Sequence, residues 1–338
     1  MKNSQRTRVR IALFSVGAGV IILLLKFLAF SISGSTALKS DAIESVVNVI
    51  AALFAVGAVI VAEQPADREH PYGHGKIESF SAAFEGGLIS LASVAIMYEA
   101  IHAFFVGPDI KDLSTGLLVN LGAGVLNGLL GWFLVRSGKK HGSQALIADG
   151  HHVLSDFFTT LGIGFAVFLV WLTGIIWLDS VLAFGVGLWL AYTGYRIVRT
   201  SLGALMDAED PEILKRLIDA ISRLKPVDVI TVHDMKTLRA GRYTHVDVHV
   251  VVPEFYEISR AHDLVESFGR FILTETTIEG EFHSHVDPCR QSYCTACRVS
   301  PCPVRQSPFA EPLEITPETA TLSDQEEAIR VSKRTSLA

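Results

Sequence analysis

The chain has 338 residues, 49% of them hydrophobic and 19% charged, and a mean hydropathy of +0.38, which is too apolar for a soluble protein of this length. Its formal net charge of −6 excludes nucleic acid as the main partner, because such proteins need a basic surface. The apolar residues crowd into the first two-thirds of the sequence, and the last third has the composition of an ordinary soluble domain.

Residues 1–10 are basic, and the apolar run after them is too long for a signal-peptide core and lacks a small-residue cleavage site. It reads as the first of six membrane spans, each near the ~20 residues a helix needs to cross the hydrocarbon core. These are Ile11–Ile32, Ala37–Ala62, Phe80–Phe104, Leu117–Val135, Ala145–Leu172 and Ile175–Val198. Arg6, Arg8 and Arg10 precede the first span, Arg68 and Lys76 follow the second, Arg136, Lys139 and Lys140 follow the fourth, and Arg196 and Arg199 follow the sixth. The opposite loops carry little beyond Lys39 and Lys111, so the positive-inside rule places both termini in the cytoplasm of an inner-membrane protein.

Charged groups within spans are costly and usually mark a pathway or a site. Span two carries Asp41, Glu44 and Asn48, and span five carries Asp149, His152 and Asp156 with the same spacing. At 3.6 residues per turn each set lines one helical face, so two facing helices can offer four ligands to one ion. Imidazole nitrogen and carboxylate oxygen suit zinc, iron, cobalt or manganese, and no thiolate in the spans favours copper(I). Capping or pairing would explain one such residue, but not a set repeated in register on two spans. Lys26 in span one reads as a structural cation, snorkelling or paired with a carboxylate. Asn120 and Asn127 share a face of span four and read as interhelical hydrogen-bonding groups.

The loop after span two, Gln64–Lys76, holds Asp67, His70 and His74 among prolines and glycines that suit a turn wrapped around a site. A second metal site at the cytoplasmic mouth and a solvated polar loop fit this spacing equally well.

From Pro211 the periodicity changes. Glu212–Arg223 and Ile258–Leu273 read as amphipathic helices, and Val227–Thr237, Tyr243–Val252 and Glu281–Val286 as strands. On the second strand His245, Asp247 and His249 share one face and Val246, Val248 and Val250 the other. The order αββαβ implies a small open sheet with helices on one side. Histidines are dense here, at 233, 245, 249, 262, 283 and 285, with Asp287 close by. Cys289, Cys294, Cys297 and Cys302 follow as C-x4-C-x2-C-x4-C, whose inner pair has knuckle spacing for a structural zinc. An iron–sulfur cluster or four free thiols are the other readings, and a reducing cytosol disfavours disulfides. Beyond Pro303 the chain is polar with little periodicity and reads as disordered.

The stretch QPAD…HPYGHGK, followed in order by HHxxxD at His151–Asp156, resembles the cation diffusion facilitator family, most of all its bacterial ferrous-iron and zinc efflux branch, over roughly residues 8 to 290. The resemblance implies a homodimer of six-helix protomers, each with a metallochaperone-like cytoplasmic domain, exchanging a divalent ion for protons by alternating access. It places the transport site on Glu44, Asn48, His152 and Asp156, with Asp41 and Asp149 as helpers. It places a loop site on Asp67, His70 and His74 and a regulatory site on His233, His249, His262, His285 and Asp287. It also pairs Lys76 and Asp207 as a charge interlock at the dimer centre. The family's span-two pair is His or Asp followed by Asp, whereas here it is Glu44 and Asn48, so the site loses one formal charge and one proton-exchanging group.

The domains expected are thus 1–10, a cytoplasmic start; 11–200, a six-span all-α transport domain; 201–210, a linker; 211–288, an α+β metal-binding dimerisation domain; 289–303, the cysteine segment; and 304–338, a tail. The function expected is secondary export of zinc or ferrous iron, with manganese or cobalt as alternatives, in exchange for protons. A membrane-anchored metal sensor with little transport is the rival reading, motivated by Asn48 and the added cysteines. No P-loop, Ser-His-Asp order or HExxH pattern points to an enzyme.

Overall fold

The computed structural model describes residues 2–33, 36–106, 115–173 and 177–335, and the chain divides into two compact units, 1–206 and 207–338. The first unit is all helical: α1 (Lys2–Ser33), α2 (Thr36–Ala62), α3 (Ile77–Val106), α4 (Thr115–His141), α5 (Gln144–Thr173) and α6 (Trp177–Leu205). Among the described residues, the stretches 6–32, 77–105, 118–141 and 180–205 are each long and apolar enough to cross a membrane, and 48–62 is a shorter apolar helix. Large side chains such as Leu24, Leu91, Phe105 and Leu118 point outward, while the inner faces carry alanine, serine and glycine.

In this unit α3 lies along α6, α4 along α5, and α1 against α2 and α4. Small residues let the backbones close on one another. A Cβ at Gly131 of α4 would stand 2.8 Å from the Gly150 carbonyl of α5, and one at Gly150 would stand 2.7 Å from the Val135 nitrogen. This contact fixes α5, the helix that bears His152 and Asp156. Helix α6 continues to Leu205, so half of the linker expected at 201–210 is helix.

The second unit runs α7 (Pro211–Leu224), β1 (Thr231–Ala240), β2 (Tyr243–Val252), α8 (Ile258–Thr276) and β3 (Gly280–Pro288), the αββαβ order expected. Asp210 caps α7, its side chain accepting from the Glu212 and Ile213 backbone N–H groups, and proline at the first helical position needs no donor. β1 starts at Thr231 rather than Val227 because Pro226 opens a turn, closed by Val229 N–H on the Pro226 carbonyl at 3.1 Å. The strand order is β1-β2-β3, with β1 and β2 antiparallel and β2 and β3 parallel. Val246, Val248 and Val250 pack beneath α7 and α8, against Leu217, Ile221, Val265 and Phe268. The polar partners of those valines therefore line the opposite face of the sheet.

The disordered tail expected after Pro303 is folded. A 3-10 helix (Gln291–Ala296) precedes it, and α9 (Pro317–Ala320) and α10 (Asp324–Thr335) lie within it. Ile315 and Ala320 join the main core, and Leu313 and Val331 form a second cluster with Ile230, Val251 and Tyr293. The Ser222 hydroxyl donates to the Ile315 carbonyl at 3.0 Å, and Asp234 N–H donates to the Leu322 carbonyl at 2.8 Å. These apolar anchors are few and widely spaced in sequence, so they make no periodic signal.

Candidate functional site

Between α2 and α5 three of the expected site residues form one hydrogen-bonded chain. His152 Nε2 lies 2.6 Å from Asn48 Oδ1, and Asn48 Nδ2 donates to Asp156 Oδ2. His152 and Asp156 are each 5% exposed. An amide oxygen only accepts, so in this orientation Nε2 carries the imidazole proton. For Nε2 to serve as a metal ligand, the neutral ring would have to carry its proton on Nδ1, and the hydrogen bond to Asn48 would be lost. A small cavity opens beside the group, lined by Asn48, Asp156, Ser15, Ser45 and Asn127. Asp41 and Glu44 belong to α2, Glu44 about one turn before Asn48, but their side chains lie outside the described residues.

Asp149 faces elsewhere. It accepts from the Ser15 hydroxyl of α1 at 2.7 Å, so it ties α1 to α5. Lys26 is 1% exposed and sits inside the helical unit, which removes the snorkelling reading. Asn127, read as an interhelical hydrogen-bonding group, instead lines the cavity with its buried Nδ2 lacking a partner among the described residues. The sequence signal for it was only an amide in an apolar span, sharing a helical face with Asn120.

A buried ionic group went unforeseen. Arg8, 1% exposed, pairs with Glu63 at 2.7 Å and with Glu78, whose other oxygen accepts from the Ser143 hydroxyl at 2.5 Å. It joins α1, α2 and α3 to the start of α5.

Among the described residues three groups of metal-type ligand atoms stand within 4.8 Å of one another: Asp67, His70 and His74; His233, His249, Asp287 and Asp324; and His245, Glu281 and His283. In the loop, Asp67 lies 3.2 Å from His70 Nδ1 and 3.5 Å from His74 Nε2, and it accepts the backbone N–H groups of Glu69 and His70. Those N–H groups, that of His70 foremost, hold its carboxyl below the usual range. Gly73 supplies the turn's positive φ of 81°.

On the sheet, strand register does what no sequence spacing could show. His233 pairs with His249 across β1 and β2, and His249 pairs with His285 across β2 and β3, placing three imidazoles in one row. Ring centroids stand 5.2 Å and 4.6 Å apart along it. Asp287 Oδ2 lies 3.0 Å from His249 Nδ1 and 3.4 Å from His233 Nε2, and Asp287 Oδ1 lies 3.0 Å from His285 Nδ1. His262 does not join them: α8 covers the sheet's other face, and His262 is exposed there beside Glu266 at 3.6 Å. Asp324 of α10, Glu281, and the grouping of His245 with His283 went unassigned in the sequence reading. Glu281 lies 3.0 Å from His283 Nε2 and also meets His245, and its hydrogen bond raises the His283 pKa.

The four cysteines are free thiols around one cavity that Tyr293 and Arg305 also line. Arg305 donates to the carbonyls of Cys294, Cys297 and Val299 at 3.2, 3.0 and 2.8 Å, which shapes the turn carrying the thiols. Burial pushes the Cys289 thiol up.

Residues 12–206 match the cation efflux transmembrane domain, and residues 210–289 match the cytoplasmic domain of cation efflux proteins. The chain belongs to the cation diffusion facilitator family. It is 35% identical over 277 residues to an uncharacterized transporter of Synechocystis sp., covering 82% of this chain and 89% of that one. It is 28% identical over 280 residues to the cation-efflux pump FieF of Cronobacter sakazakii and 29% over 278 to that of Yersinia pestis, covering 83% and 82% of this chain and 92% of each relative. The protein is therefore a cation-efflux transporter and not an enzyme, built as a helical membrane domain followed by a small α+β domain. The matched cytoplasmic domain ends at residue 289, before the inner cysteine pair and the folded tail.

Proposed function

We propose that this facilitator exports a divalent transition-metal ion, zinc or ferrous iron before manganese or cobalt, from the cytoplasm in exchange for protons. The observation that carries the reading is the buried chain from His152 through Asn48 to Asp156, which joins α2 to α5 through metal-type ligands. Ligands must be deprotonated to bind, so the metal and the proton compete for His152 and Asp156, and that competition couples the two flows. Glu44, one turn before Asn48, supplies a further carboxylate. The absence of such a group at Asn48 leaves exchange to Glu44, His152 and Asp156. Rocking of the helices about the site would turn it from one side of the membrane to the other.

The outward apolar faces meet lipid, and the basic segments keep both termini in the cytoplasm. The chain works as a homodimer through its cytoplasmic domain, with Lys76 and Asp207 near the dimer centre. The Asp67 loop receives the ion at the inner mouth, and the sheet site of His233, His249, His285 and Asp287 senses cytoplasmic metal. The thiols fit a structural zinc.

The test is flux in sealed proteoliposomes under a pH gradient, with zinc, ferrous iron, manganese and cobalt in turn. Flux of one or two metals with opposite proton movement, lost in Asp156→Ala, is expected. Wild-type rates in folded Asp156→Ala protein would refute the site.

A further inference from the structure

The C-terminal segment places a carboxylate into the sheet site from outside the matched domain. We propose that Asp324 is a ligand of that site, so that an ion bound there fastens α10 onto the sheet. The inference rests on the reading of His233, His249 and Asp287 as metal ligands. Asp324 Oδ1 lies 2.9 Å from His233 Nε2 and 3.1 Å from His249 Nδ1. The four ligand atoms, two imidazole nitrogens and two carboxylate oxygens, all stand within 4.8 Å of one another. Zinc accepts imidazole nitrogen and carboxylate oxygen as ligands, and four such donors fill its tetrahedral coordination. Two carboxylates also bring two negative charges, which a divalent cation neutralises and which otherwise repel at this range.

The position of Asp324 follows from packing rather than from its own contacts with histidine. Ile315 and Ala320 sit in the main core on one side of it, and Val331 sits in the second cluster on the other. A β-bulge between His233 and Lys236, with Asp234 at φ 46°, turns the Asp234 N–H out of the ladder and onto the Leu322 carbonyl at 2.8 Å. The chain then enters α10 with Asp324 in its first turn, over the histidine row. Asp324 adds a ligand where the tail crosses that row. A metal there converts a packed tail into a clamped one.

The test uses the full-length protein in detergent with zinc as the probe. Local amide exchange is followed in 231–252 and 324–335 across a zinc titration. In the wild type both segments gain protection at one zinc concentration. In Asp324→Asn, exchange without zinc stays as in the wild type, zinc no longer protects 324–335, and protection of 231–252 needs at least about tenfold more zinc. Asp324→His, which keeps a ligand, restores protection of 324–335. Wild-type behaviour of Asp324→Asn at both segments would overturn the proposal. So would equal loosening of 324–335 with and without zinc, which would make Asp324 only a helix-start residue. His249→Ala reports on the foundation: if zinc protects 231–252 there as in the wild type, the sheet site itself is refuted, and the proposal falls with it.

Discussion

Asn48 occupies the position where the family resemblance leads one to expect a carboxylate, and its geometry says what that exchange does. Its amide spans His152 and Asp156 by offering an oxygen to one and a donor to the other. A second carboxylate there could accept from His152 but would face Asp156 as a like charge. Asn48→Asp should therefore bind zinc more tightly, by roughly one order of magnitude for one more negative charge among the ligands, and release about one more proton per ion bound. Zinc titration in weakly buffered solution, read with a pH dye, measures both. Unchanged proton release would show that Asn48 stands outside the coordination sphere. The i, i+4 spacing made His152 and Asp156 legible in the sequence because one helical turn brings such residues to one face. Spacing could not show that Asp149 turns to Ser15, since which helix lies on that side is a tertiary fact. For Asn127 the amide was visible and its cavity was not.

Among the elements, the helices and the αββαβ order could be read from local pattern, because apolar length and strand alternation each lie within a single segment. Register could not, and register is what aligns His233, His249 and His285. The ties between helix ends were also hidden. Arg8 belongs to a basic start that reads as a topology signal, yet it is buried against Glu63, just past the end of α2, and Glu78 of α3. Removing one partner of a buried ion pair leaves an uncompensated charge and costs about 3–5 kcal/mol. Arg8→Met should thus lower the unfolding temperature of the helical unit markedly, and adding Glu78→Gln should recover part of the loss. Tryptophan fluorescence follows this directly, because all four tryptophans lie in that unit. An Arg8→Met protein that melts like the wild type would mean that water or neighbouring groups neutralise the two glutamates without it.

For the molecule as a whole, the largest departure from the sequence reading is the segment after Pro303, where polarity suggested disorder and the structure shows two helices packed onto the second unit's core. Low hydrophobicity argues for disorder only when a segment must make its own core. This one borrows a core that β1, β2 and α7 already possess, with Leu313, Ile315, Ala320 and Val331 as its apolar anchors. Truncation after Pro303 should strip these contacts, release Ser222 and Asp234 from their carbonyl acceptors, and speed amide exchange in β1 and β2. The helical unit, reported by its tryptophans, should melt unchanged, because the lost contacts all belong to the second unit. If β1 and β2 exchange at wild-type rates after truncation, the sheet is stable by itself and the tail merely rides on it. Faster exchange confined to those strands would show instead that the extension is a structural part of the domain, and the arrangement that carries Asp324 to the histidine row would then be under the same packing control as the row itself.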